Sequence, residues 1–422
     1  MPELVLMQNR RADRPATLEE YQASGGYQAL EKALTTLQPR ELTQLVMDSG
    51  LRGRGGAGFP AGRKWSFLRE NAPHPRYVIP NTDEMEPGTF KDRILVSADP
   101  HQIIEGTLLA GYANQAERSV IFIRPSYELE AELFEREFAR AREAGFLGRN
   151  ILGRGFDFEI TVHRSAGRYI CGEASAQVTA IQGQRPRPDK LSHMTDNGLW
   201  GQPTIVNNVE TLACLPHIVR HGAAWFQGLA AHPGGAGTKL YGVSGMVEKP
   251  DCYELPIGTP LREIIFEHAG GMKGGRNFKA CLTGGASTKF LHPKDLDVAM
   301  DFEPLHQIGH RLGTAAVVVF DENACLVSAC LNLLTFFARE SCGWCTPCRE
   351  GLPYMRQLLL EIELGEADES CITELRELTA KMDLSYCAFA PGAAAPVQGL
   401  LEGFEDEIRE HLSQRCCPYK GE

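Results

Sequence analysis

The segments "SVIFI" (119–123) and "FDFEITVH" (156–163) flank a helix-like segment and decide the predicted fold class. Both are rich in the β-branched and aromatic residues that favour strands. Between them, "YELEAELFEREFARAREAG" (127–145) carries apolar side chains at helical spacing: Leu129, Leu133, Phe134, Phe138 and Ala141. A strand, a helix and a strand in this order predict a βαβ unit and a parallel sheet.

The rest of the chain predicts an α/β multidomain protein. A helical region extends to about Ser49, and "RYVIP" (76–80) is a further predicted strand. The composition of "AAHPGGAGTKL" (230–240) is that of a linker, and alternating strand-like and helix-like segments follow it. The last hundred residues contain four segments of helical periodicity, which predict a bundle. We therefore expect three domains, with these bounds: 1–235, 236–321 (α+β) and 322–422 (helical bundle).

The overall charge of the chain limits its partners. The formal net charge of the 422 residues is −11, which argues against nucleic acid or an anionic membrane surface as the main partner. No apolar run is long enough to span a bilayer, and "MPELVLMQNRRADRP" (1–15) lacks the pattern of a signal peptide. We therefore expect a cytoplasmic protein without direct membrane insertion.

Three cysteines in "ESCGWCTPCREG" (340–351) form a C-x2-C-x2-C motif: Cys342, Cys345 and Cys348. This spacing is typical of iron–sulfur ligation with a fourth thiolate supplied from elsewhere in the chain. Cys371 and Cys387 are the candidates, and the Gly/Pro-containing loop around Cys387 favours Cys387. The alternative is zinc, although structural zinc more often takes two separated pairs of ligands.

The other cysteines are expected to be structural. A disulfide framework is not expected in the cytoplasm. We interpret the scattered cysteines, of which Cys325 is one, as small buried hydrophobic residues. Cys416 and Cys417 are expected to lie on a mobile tail.

The stretch "LRGRGGAGFPAGRKW" (51–65) contains a match to G-x-G-x-x-G at residues 53–58. A dinucleotide-binding fingerprint requires a strand before it, whereas the preceding "RELTQLVMDSG" (40–50) has helical character. The glycines would let backbone N–H groups approach an anion, and Arg54 and Lys64 would add positive charge. A glycine-rich surface turn with solvated basic side chains is the alternative, and the stretch alone does not decide between the two.

Three motifs taken together resemble the NADH-binding flavin and iron–sulfur subunit of bacterial NADH:quinone oxidoreductase, respiratory complex I. They are "RGRGGAGFPAGRKW" (52–65), "RYICGE" (168–173) with "WGQPTIVNNVETL" (200–212), and the cysteine motif. The resemblance extends from about Tyr21 to about Leu412. It implies a Rossmann-like FMN-binding domain, a ubiquitin-like (soluble-ligand-binding β-grasp) domain and a helical bundle that holds a 4Fe–4S cluster.

The resemblance also implies which residues bind the cofactors. The glycine loop would lie along FMN and its phosphate through Arg54, Gly55, Gly56, Gly58 and Lys64. The other FMN contacts would be Asn81, Asp83, Glu84, Tyr169, Gly172, Glu173, Val206, Asn207, Asn208 and Thr211. The NADH contacts would be Phe59 and Phe67 at the adenine and Glu86 at the nicotinamide. Ala174 and Lys190 would be further positions in the NADH pocket. The cluster ligands would be Cys342, Cys345, Cys348 and Cys387.

By resemblance, NADH would deliver a hydride to FMN, and single electrons would then pass to the 4Fe–4S cluster and on to partner subunits. No side chain would act as a nucleophile, since the cofactors carry the chemistry. The implied partners are a small 2Fe–2S subunit and a large iron–sulfur subunit of the same complex. These would hold the chain on the cytoplasmic face of the inner membrane.

The sequence departs from the family at the nucleotide pocket. The family reads C-G-E-E-T-A-L where this chain reads "CGEASAQ" (171–177), so Ala174 replaces a carboxylate that binds the adenosine ribose hydroxyls. Its loss would weaken NADH binding by about 1.5–3 kcal/mol and reduce discrimination against NADPH. In "KLSHM" (190–194), Lys190 is kept, but His193 replaces an aromatic ring. The alternatives are therefore a diaphorase subunit of a related hydrogenase or formate dehydrogenase with relaxed NADH/NADPH selectivity, and an electron relay that binds no nicotinamide.

Overall fold

The computed structural model describes residues 4–189 and 193–419. The described chain forms two compact units. Of the described residues, the first unit comprises 4–85, 90–189, 193–241 and 254–258, and the second comprises 86–89, 242–253 and 259–419. The three-domain division expected from the sequence stays a prediction.

Short helices make up much of the first unit. The first of them begins with a capping box, in which Thr17 accepts a hydrogen bond from the backbone N–H of Glu20 and Glu20 accepts one from Thr17. The helices are α1 (Leu18–Ala23), α2 (Gln28–Thr36), α3 (Pro39–Asp48), α4 (Ala61–Trp65), α5 (Lys91–Ala98), α6 (Pro100–Ala113), α7 (Glu128–Glu143), α8 (Ala174–Ile181), α9 (Val209–Ala213), α10 (Leu215–His221) and α11 (Ala223–Gly228). Two 3-10 helices accompany them, Tyr169–Gly172 and Leu199–Gly201.

The sheet of the first unit is mainly parallel. Its strands are β1 (Tyr77–Thr82), β2 (Arg118–Ile123), β3 (Gly148–Ile151), β4 (Phe156–Arg164) and β5 (Thr204–Asn208), in the spatial order β3-β4-β2-β1-β5. β1 pairs in parallel with β2 and β5, and β2 pairs in parallel with β4, whereas β3 is antiparallel. The βαβ unit predicted between residues 119 and 163 is therefore confirmed as β2, α7 and β4.

Helix α6 lies in the core of the first unit, and nearly all its side chains are buried. It contacts α9 at Gly106, where an added Cβ would lie 2.1 Å from the carbonyl oxygen of Leu212. Glycine is therefore required at this position by the close approach of another backbone.

The second sheet has the order β7-β6-β10-β8-β9. Its strands are β6 (Thr238–Gly245), β7 (Asp251–Pro256), β8 (Phe278–Leu282), β9 (Phe290–Leu291) and β10 (Ala316–Asp321). Within the second unit, β10 pairs in parallel with β6 and antiparallel with β8. The accompanying helices are α12 (Leu261–Glu263), which continues into a π-helical turn at Ile264–His268, and α13 (Phe302–Gln307). Short 3-10 turns lie at Lys273–Gly275 and Pro293–Asp295.

The C-terminal part of the second unit is helical, as expected. Its helices are α14 (Leu326–Glu340), α15 (Leu352–Leu364), α16 (Ser370–Lys381), α17 (Phe389–Gly403) and α18 (Glu405–Gln414), with a π-helical turn at Pro347–Gly351 and a 3-10 turn at Met382–Leu384. The last of the four predicted helical segments, "APVQGLLEGFEDEIREHL" (395–412), forms parts of two helices because the backbone leaves the helical conformation at Phe404 (φ −142°, ψ 28°). α14 packs against α15 and α17.

The expectation that both final cysteines lie on a tail is wrong for Cys417. Its side chain is buried, whereas the neighbouring Cys416 is exposed. The chain after α18 therefore folds back onto the helices of the second unit.

Replacement of Gly106 by Ala is expected to destabilise the protein by about 1–3 kcal/mol, because the new methyl group would overlap the backbone of α9. The matched control is Gly228→Ala, since a Cβ on this helical glycine meets no atom within 4 Å. The control should be neutral or stabilising by up to about 1 kcal/mol. Urea unfolding measures both changes, and equal stabilities of the two variants would contradict the close approach.

Candidate functional site

The carboxyl ends of β1 and β5 gather many of the candidate residues. In the sheet, β2, the strand that follows β1 in the chain, lies on one side of β1, whereas β5 lies on its other side. The strand order therefore reverses between β1 and β5. In open parallel sheets, ligands bind in the crevice at such a switch point, beyond the carboxyl ends of the strands. The candidates at this edge are Asn81, Asp83, Glu84, Val206, Asn207 and Asn208.

The glycine-rich loop lies beside this edge and connects α3 to α4. Its ends are closed by a hydrogen bond from Gly53 N to Phe59 O at 2.9 Å. The backbone N–H of Arg54 donates to Thr211 Oγ1 at 2.8 Å, which ties the loop to α9. A Cβ on Gly55 would lie 3.0 Å from Asn208 Cβ. The helix before the loop confirms that this is no Rossmann fingerprint, since the strand that a fingerprint requires is replaced by α3.

The two basic candidates of this stretch, Arg54 in the loop and Lys64 on α4, differ in their contacts. The guanidinium of Arg54 is buried and donates to the carbonyls of Ala236 and Thr238 at 2.7 and 3.1 Å. Two backbone oxygens thus engage one end of the guanidinium, while its buried Nε has no partner among the described residues, and the expected role of Arg54 beside an anion stays a prediction. Lys64 Nζ donates to Val206 O at 3.0 Å, and burial lowers the pKa of Lys64.

Asp83 presents a buried carboxylate immediately after β1. Its Oδ1 accepts a hydrogen bond from Ser165 Oγ at 2.7 Å, while its Oδ2 has no hydrogen-bond partner among the described residues. Burial raises the pKa of Asp83 to about 6. A buried oxygen without a partner is costly, so this atom fits a donor on a bound ligand.

The carboxylate of the adjacent Glu84, unlike that of Asp83, is engaged by several groups of the protein. Its carboxylate accepts hydrogen bonds from the backbone N–H of Asp92 at 2.9 Å, from that of Arg93 at 3.2 Å and from Tyr127 Oη at 3.0 Å. Burial and the charge of Asp92 raise the pKa of Glu84 to about 7. Glu84 therefore holds the start of α5.

The two asparagines at the end of β5 are fixed by separate partners. Asn207 Oδ1 accepts from Trp65 Nε1 at 3.0 Å. Asn208 Nδ2 donates to Asp92 Oδ2 at 2.7 Å and to Asn81 O at 3.2 Å. The end of β5 is thus tied to β1, to α4 and to α5.

A network of buried charges supports this edge, and the sequence analysis missed it. Glu210 Oε2 lies 2.9 Å from Lys91 Nζ and 2.7 Å from Lys239 Nζ, and Lys91 Nζ lies 2.6 Å from Asp92 Oδ1. Burial by itself would raise the pKa of Glu210, but the two lysines outweigh burial and hold that pKa at about 2. The available signal was Glu210 within the motif of Asn207 and Asn208, and the charged pair Lys91 and Asp92 after the segment of Asp83 and Glu84.

The segment after β4 carries a further group of candidates: Tyr169, Gly172, Glu173 and Ala174. Glu173 is the N-cap of α8, and its Oε2 accepts from the backbone N–H of Ala176 at 2.8 Å. Ser175 Oγ donates to the same oxygen at 2.6 Å and accepts from the backbone N–H of Asp189 at 2.8 Å. Ser175 is therefore engaged in holding the loop after α8.

Two exposed aromatic rings lie together near the glycine loop. The ring centroids of Phe59 and Phe67 are 6.0 Å apart, with an angle of 47° between the ring planes. The two side chains are 40% and 52% exposed, which is unusual for phenylalanine and suits a flat ligand. In the segment 190–194, where the sequence departs from the family, His193 is exposed, whereas Lys190 lies outside the described residues.

Glu86 belongs to the second unit. Its Oε1 accepts a hydrogen bond from the backbone N–H of Ser287 at 2.6 Å. Gly285 approaches it so closely that a Cβ there would lie 2.6 Å from Glu86 Cγ. The conformation of the Glu86 side chain is thus restricted by the segment that follows β8.

The four predicted cluster cysteines are neighbours in the second unit. Cys342 follows α14, Cys345 lies just before the π-helical turn, Cys348 lies in that turn, and Cys387 precedes α17. Burial raises the pKa of Cys348, and so does repulsion from the other three thiols, which are close enough to act on it. Cys371 lies instead on α16, where Asp368 and Glu374 act on its thiol. Four converging thiols, with Cys387 as the fourth, fit a cubane cluster.

Family models match three regions of the chain. The Nuo51 FMN-binding domain matches residues 46–217, the SLBB domain residues 240–291, and the NADH-ubiquinone oxidoreductase-F iron–sulfur binding region residues 328–411. With the crevice and the four thiols, these matches define an oxidoreductase subunit with an FMN-binding domain and a 4Fe–4S region.

Similar proteins identify the family. The chain is 45% identical to an F subunit of the NADH-quinone oxidoreductase of Rhizobium meliloti (strain 1021), over 99% of this chain and 100% of the relative. It is 46% identical to the F subunit of the Escherichia coli (strain K12) enzyme, over 95% and 91% of the two chains. The chain belongs to the family of NADH-quinone oxidoreductase F subunits.

A related fold occurs in an NAD+-reducing NiFe-hydrogenase, whose air-oxidised crystal structure has a TM-score of 0.83 and 34% sequence identity. The match covers 96% of this chain and 67% of the hydrogenase chain. The mixed α/β architecture expected from the sequence is thus confirmed. Among the described residues, no helix has both the length and the apolar character needed to cross a membrane.

Replacement of Glu210 by Gln is expected to destabilise the protein by about 3–5 kcal/mol, because two buried lysines lose their shared counter-charge. Urea unfolding measures the loss. The control is Glu159→Gln, which removes an exposed pair with Arg142 and should cost about 0–1 kcal/mol. A loss for Glu210→Gln no larger than that of the control would contradict the structural role of the network.

Replacement of Asp83 by Asn is expected to stabilise the FMN-free protein above pH 6. The folded-state pKa of Asp83 is raised from 3.8 to about 6, so the charged form is unfavourable in the fold, and the amide mimics the protonated form. The gain should be on the order of 3 kcal/mol. It should shrink as the pH falls through 6 and vanish below about 4, where both states are protonated.

Urea unfolding of both proteins at several pH values measures this difference. A stability difference that does not change between pH 7 and pH 4 would show that Asp83 is not a buried, unpaired carboxylate.

Proposed function

We propose that this chain is the electron-input subunit of an NADH:quinone oxidoreductase. Hydride would pass from NADH to FMN, and single electrons would then pass to a 4Fe–4S cluster. The observation that carries the proposal is the presence in one chain of a switch-point crevice within the FMN-binding match and four converging thiols within the iron–sulfur match. When bound, FMN supplies the conversion of a two-electron donor into single electrons.

The residues at the crevice would bind and orient the flavin. Asp83 Oδ2 is the buried acceptor available to a hydroxyl or N–H of the cofactor. The loop of Gly55, Gly56 and Gly58 would present backbone N–H groups to the phosphate, with Lys64 as the nearby cation. In this proposal Arg54, Thr211 and Glu84 shape the crevice through hydrogen bonds within the protein. The buried Arg54 Nε has no hydrogen-bond partner among the described residues and would be available to the cofactor.

The remaining FMN candidates would line the crevice from its other sides. Tyr169, Gly172 and Glu173 precede α8, and Val206, Asn207 and Asn208 end β5. The four cysteines 342, 345, 348 and 387 would hold the cluster.

The NADH pocket would be formed in part by Phe59 and Phe67, which would hold the adenine. Glu86 would face the nicotinamide, and Ala174 and Lys190 would lie near the ribose. By holding the two reacting rings in contact, the protein would accelerate hydride transfer without a catalytic side chain.

The partners would be a small 2Fe–2S subunit and a large iron–sulfur subunit of the complex. The curated relatives are subunits of a multi-subunit oxidoreductase, which supports this assignment. The chain would then be held on the cytoplasmic face of the membrane by these partners.

A second possibility concerns the choice of nucleotide. The structure gives Ala174 at the first residue of α8, beside the capping carboxylate of Glu173. With no carboxylate at position 174, repulsion of a 2′-phosphate would be reduced, and NADPH would be accepted more readily. The similarity to an NAD+-reducing hydrogenase is compatible with a diaphorase role of the same kind.

Anaerobic titration of the purified protein with NADH and, in parallel, NADPH tests the proposal through bleaching of the flavin absorbance. Bleaching by NADH supports the proposed function, and bleaching by both nucleotides supports relaxed selectivity. A bound flavin that neither nucleotide bleaches would overturn the proposal in favour of an electron relay.

Replacement of Ala174 by Glu is expected to tighten NADH binding about 10- to 150-fold, because a charged acceptor would regain the ribose hydroxyls. The same change should weaken NADPH binding by charge repulsion. Ala174→Gln is the matched control, since it supplies an acceptor without the charge and should not select against NADPH. Dissociation constants from the flavin titration measure both variants, and unchanged NADH affinity in Ala174→Glu would exclude position 174 from the ribose site.

A further inference from the structure

Four potential metal ligands converge in the second unit, separately from the four cysteines assigned above to the iron–sulfur cluster. We call them the C-terminal tetrad: Cys325, Glu363, His411 and Cys417. One ligand atom from each lies within 4.8 Å of the corresponding atoms of all the others. The four residues come from distant positions in the sequence, at the start of α14, the last turn of α15, α18 and the segment after α18.

The distances within the tetrad match a tetrahedral metal site. Cys325 Sγ lies 3.6 Å from Glu363 Oε2 and 3.3 Å from His411 Nε2, and His411 Nε2 lies 3.4 Å from Glu363 Oε2. Tetrahedral zinc, with bonds of about 2.0–2.3 Å, places neighbouring ligand atoms about 3.3–3.8 Å apart. These three ligand atoms could therefore bind zinc with little rearrangement, and Cys417 Sγ lies within 4.8 Å of each of them.

Hydrogen bonds with neighbouring backbone groups orient two ligands of the tetrad, His411 and Cys325. His411 Nδ1 lies 2.7 Å from the backbone carbonyl oxygen of Glu407, to which it donates, so that the lone pair of Nε2 faces Cys325 and Glu363. Metal-bound histidines are commonly oriented by such a hydrogen bond. The backbone N–H of Ser328 donates to Cys325 Sγ at 3.2 Å, which fixes the position of the sulfur at the start of α14.

The tetrad is buried but reachable. Glu363, His411 and Cys417 are buried, and Cys325 is half-buried. A surface cavity gives access to the cluster and is lined in part by Cys325, Glu363, Cys417, Ser328 and Tyr419. A metal ion could enter through this cavity, as a site of this kind requires.

We propose that the C-terminal tetrad binds a structural Zn²⁺ ion that joins α14, α15 and α18 to the segment after α18. Two sulfurs, one imidazole nitrogen and one carboxylate oxygen form a ligand set that suits zinc, and the four ligands fill a closed structural site. Binding would release the thiol protons to solvent, with no change of oxidation state. The site would explain why Cys417 is buried while its neighbour Cys416 is exposed.

The test uses the holoprotein with its iron and flavin retained, so that zinc does not replace iron at the cluster cysteines. Elemental analysis of protein grown with added zinc should give about one zinc per chain. The variants Cys417→Ser and His411→Gln should lose this zinc while their iron and flavin contents stay unchanged. Cys416→Ser is the matched control and should keep the zinc.

A second measurement covers the case in which a variant does not fold. Wild-type holoprotein, treated with a mild chelator and then supplied with Co²⁺ in place of zinc, should show the visible absorption of tetrahedral thiolate-bound cobalt. The proposal would be overturned if the wild-type protein contained no zinc and also showed no such absorption after Co²⁺ was added. It would also be overturned by iron or copper bound at the tetrad, a disulfide between Cys325 and Cys417 in the purified protein, or equal zinc loss in Cys416→Ser.

Discussion

The crevice at the end of the first sheet depends on a carboxylate placed between two buried lysines. Glu210 meets Lys91 and Lys239, and Lys91 also pairs with Asp92. Buried charges are tolerated only when their partners are in place, so α5, α9 and the start of β6 must assemble together. Through Asp92, the network fixes Asn208 and thereby the end of β5. The position of the flavin candidates thus follows from the electrostatics of residues that would not touch the flavin.

Two neighbouring carboxylates illustrate how the fold assigns different tasks to similar residues. Glu84 accepts three hydrogen bonds and holds the start of α5. Asp83 keeps one oxygen without a partner in the described part of the chain. Both are buried, and burial raises the pKa of each. Adjacent positions therefore differ in their contacts: the Glu84 carboxylate is engaged within the protein, whereas one oxygen of Asp83 remains an acceptor without a partner among the described residues.

The cysteines of the second unit show the same dependence on tertiary structure. The C-x2-C-x2-C spacing identifies three thiols because they are close in sequence, and a nearby loop suggested the fourth. The C-terminal tetrad has no such spacing, since Cys325 and Cys417 lie at opposite ends of the helical region. The expectation that Cys325 is a buried hydrophobic residue missed its place at the start of α14, where its sulfur accepts a backbone N–H.

Local patterns in the amino-acid sequence were enough to predict the βαβ unit, the helical end of the chain, the family and the three adjacent cysteines, because periodicity and short motifs are local. They also excluded the dinucleotide fingerprint, since the helix before the glycine loop could be recognised. The folded chain was needed to show that the Arg54 charge is engaged by carbonyl oxygens, that Glu210 is shared by two lysines, and that Cys417 is buried. These outcomes depend on contacts between distant residues, and no local pattern records which buried charge or thiol will find a partner.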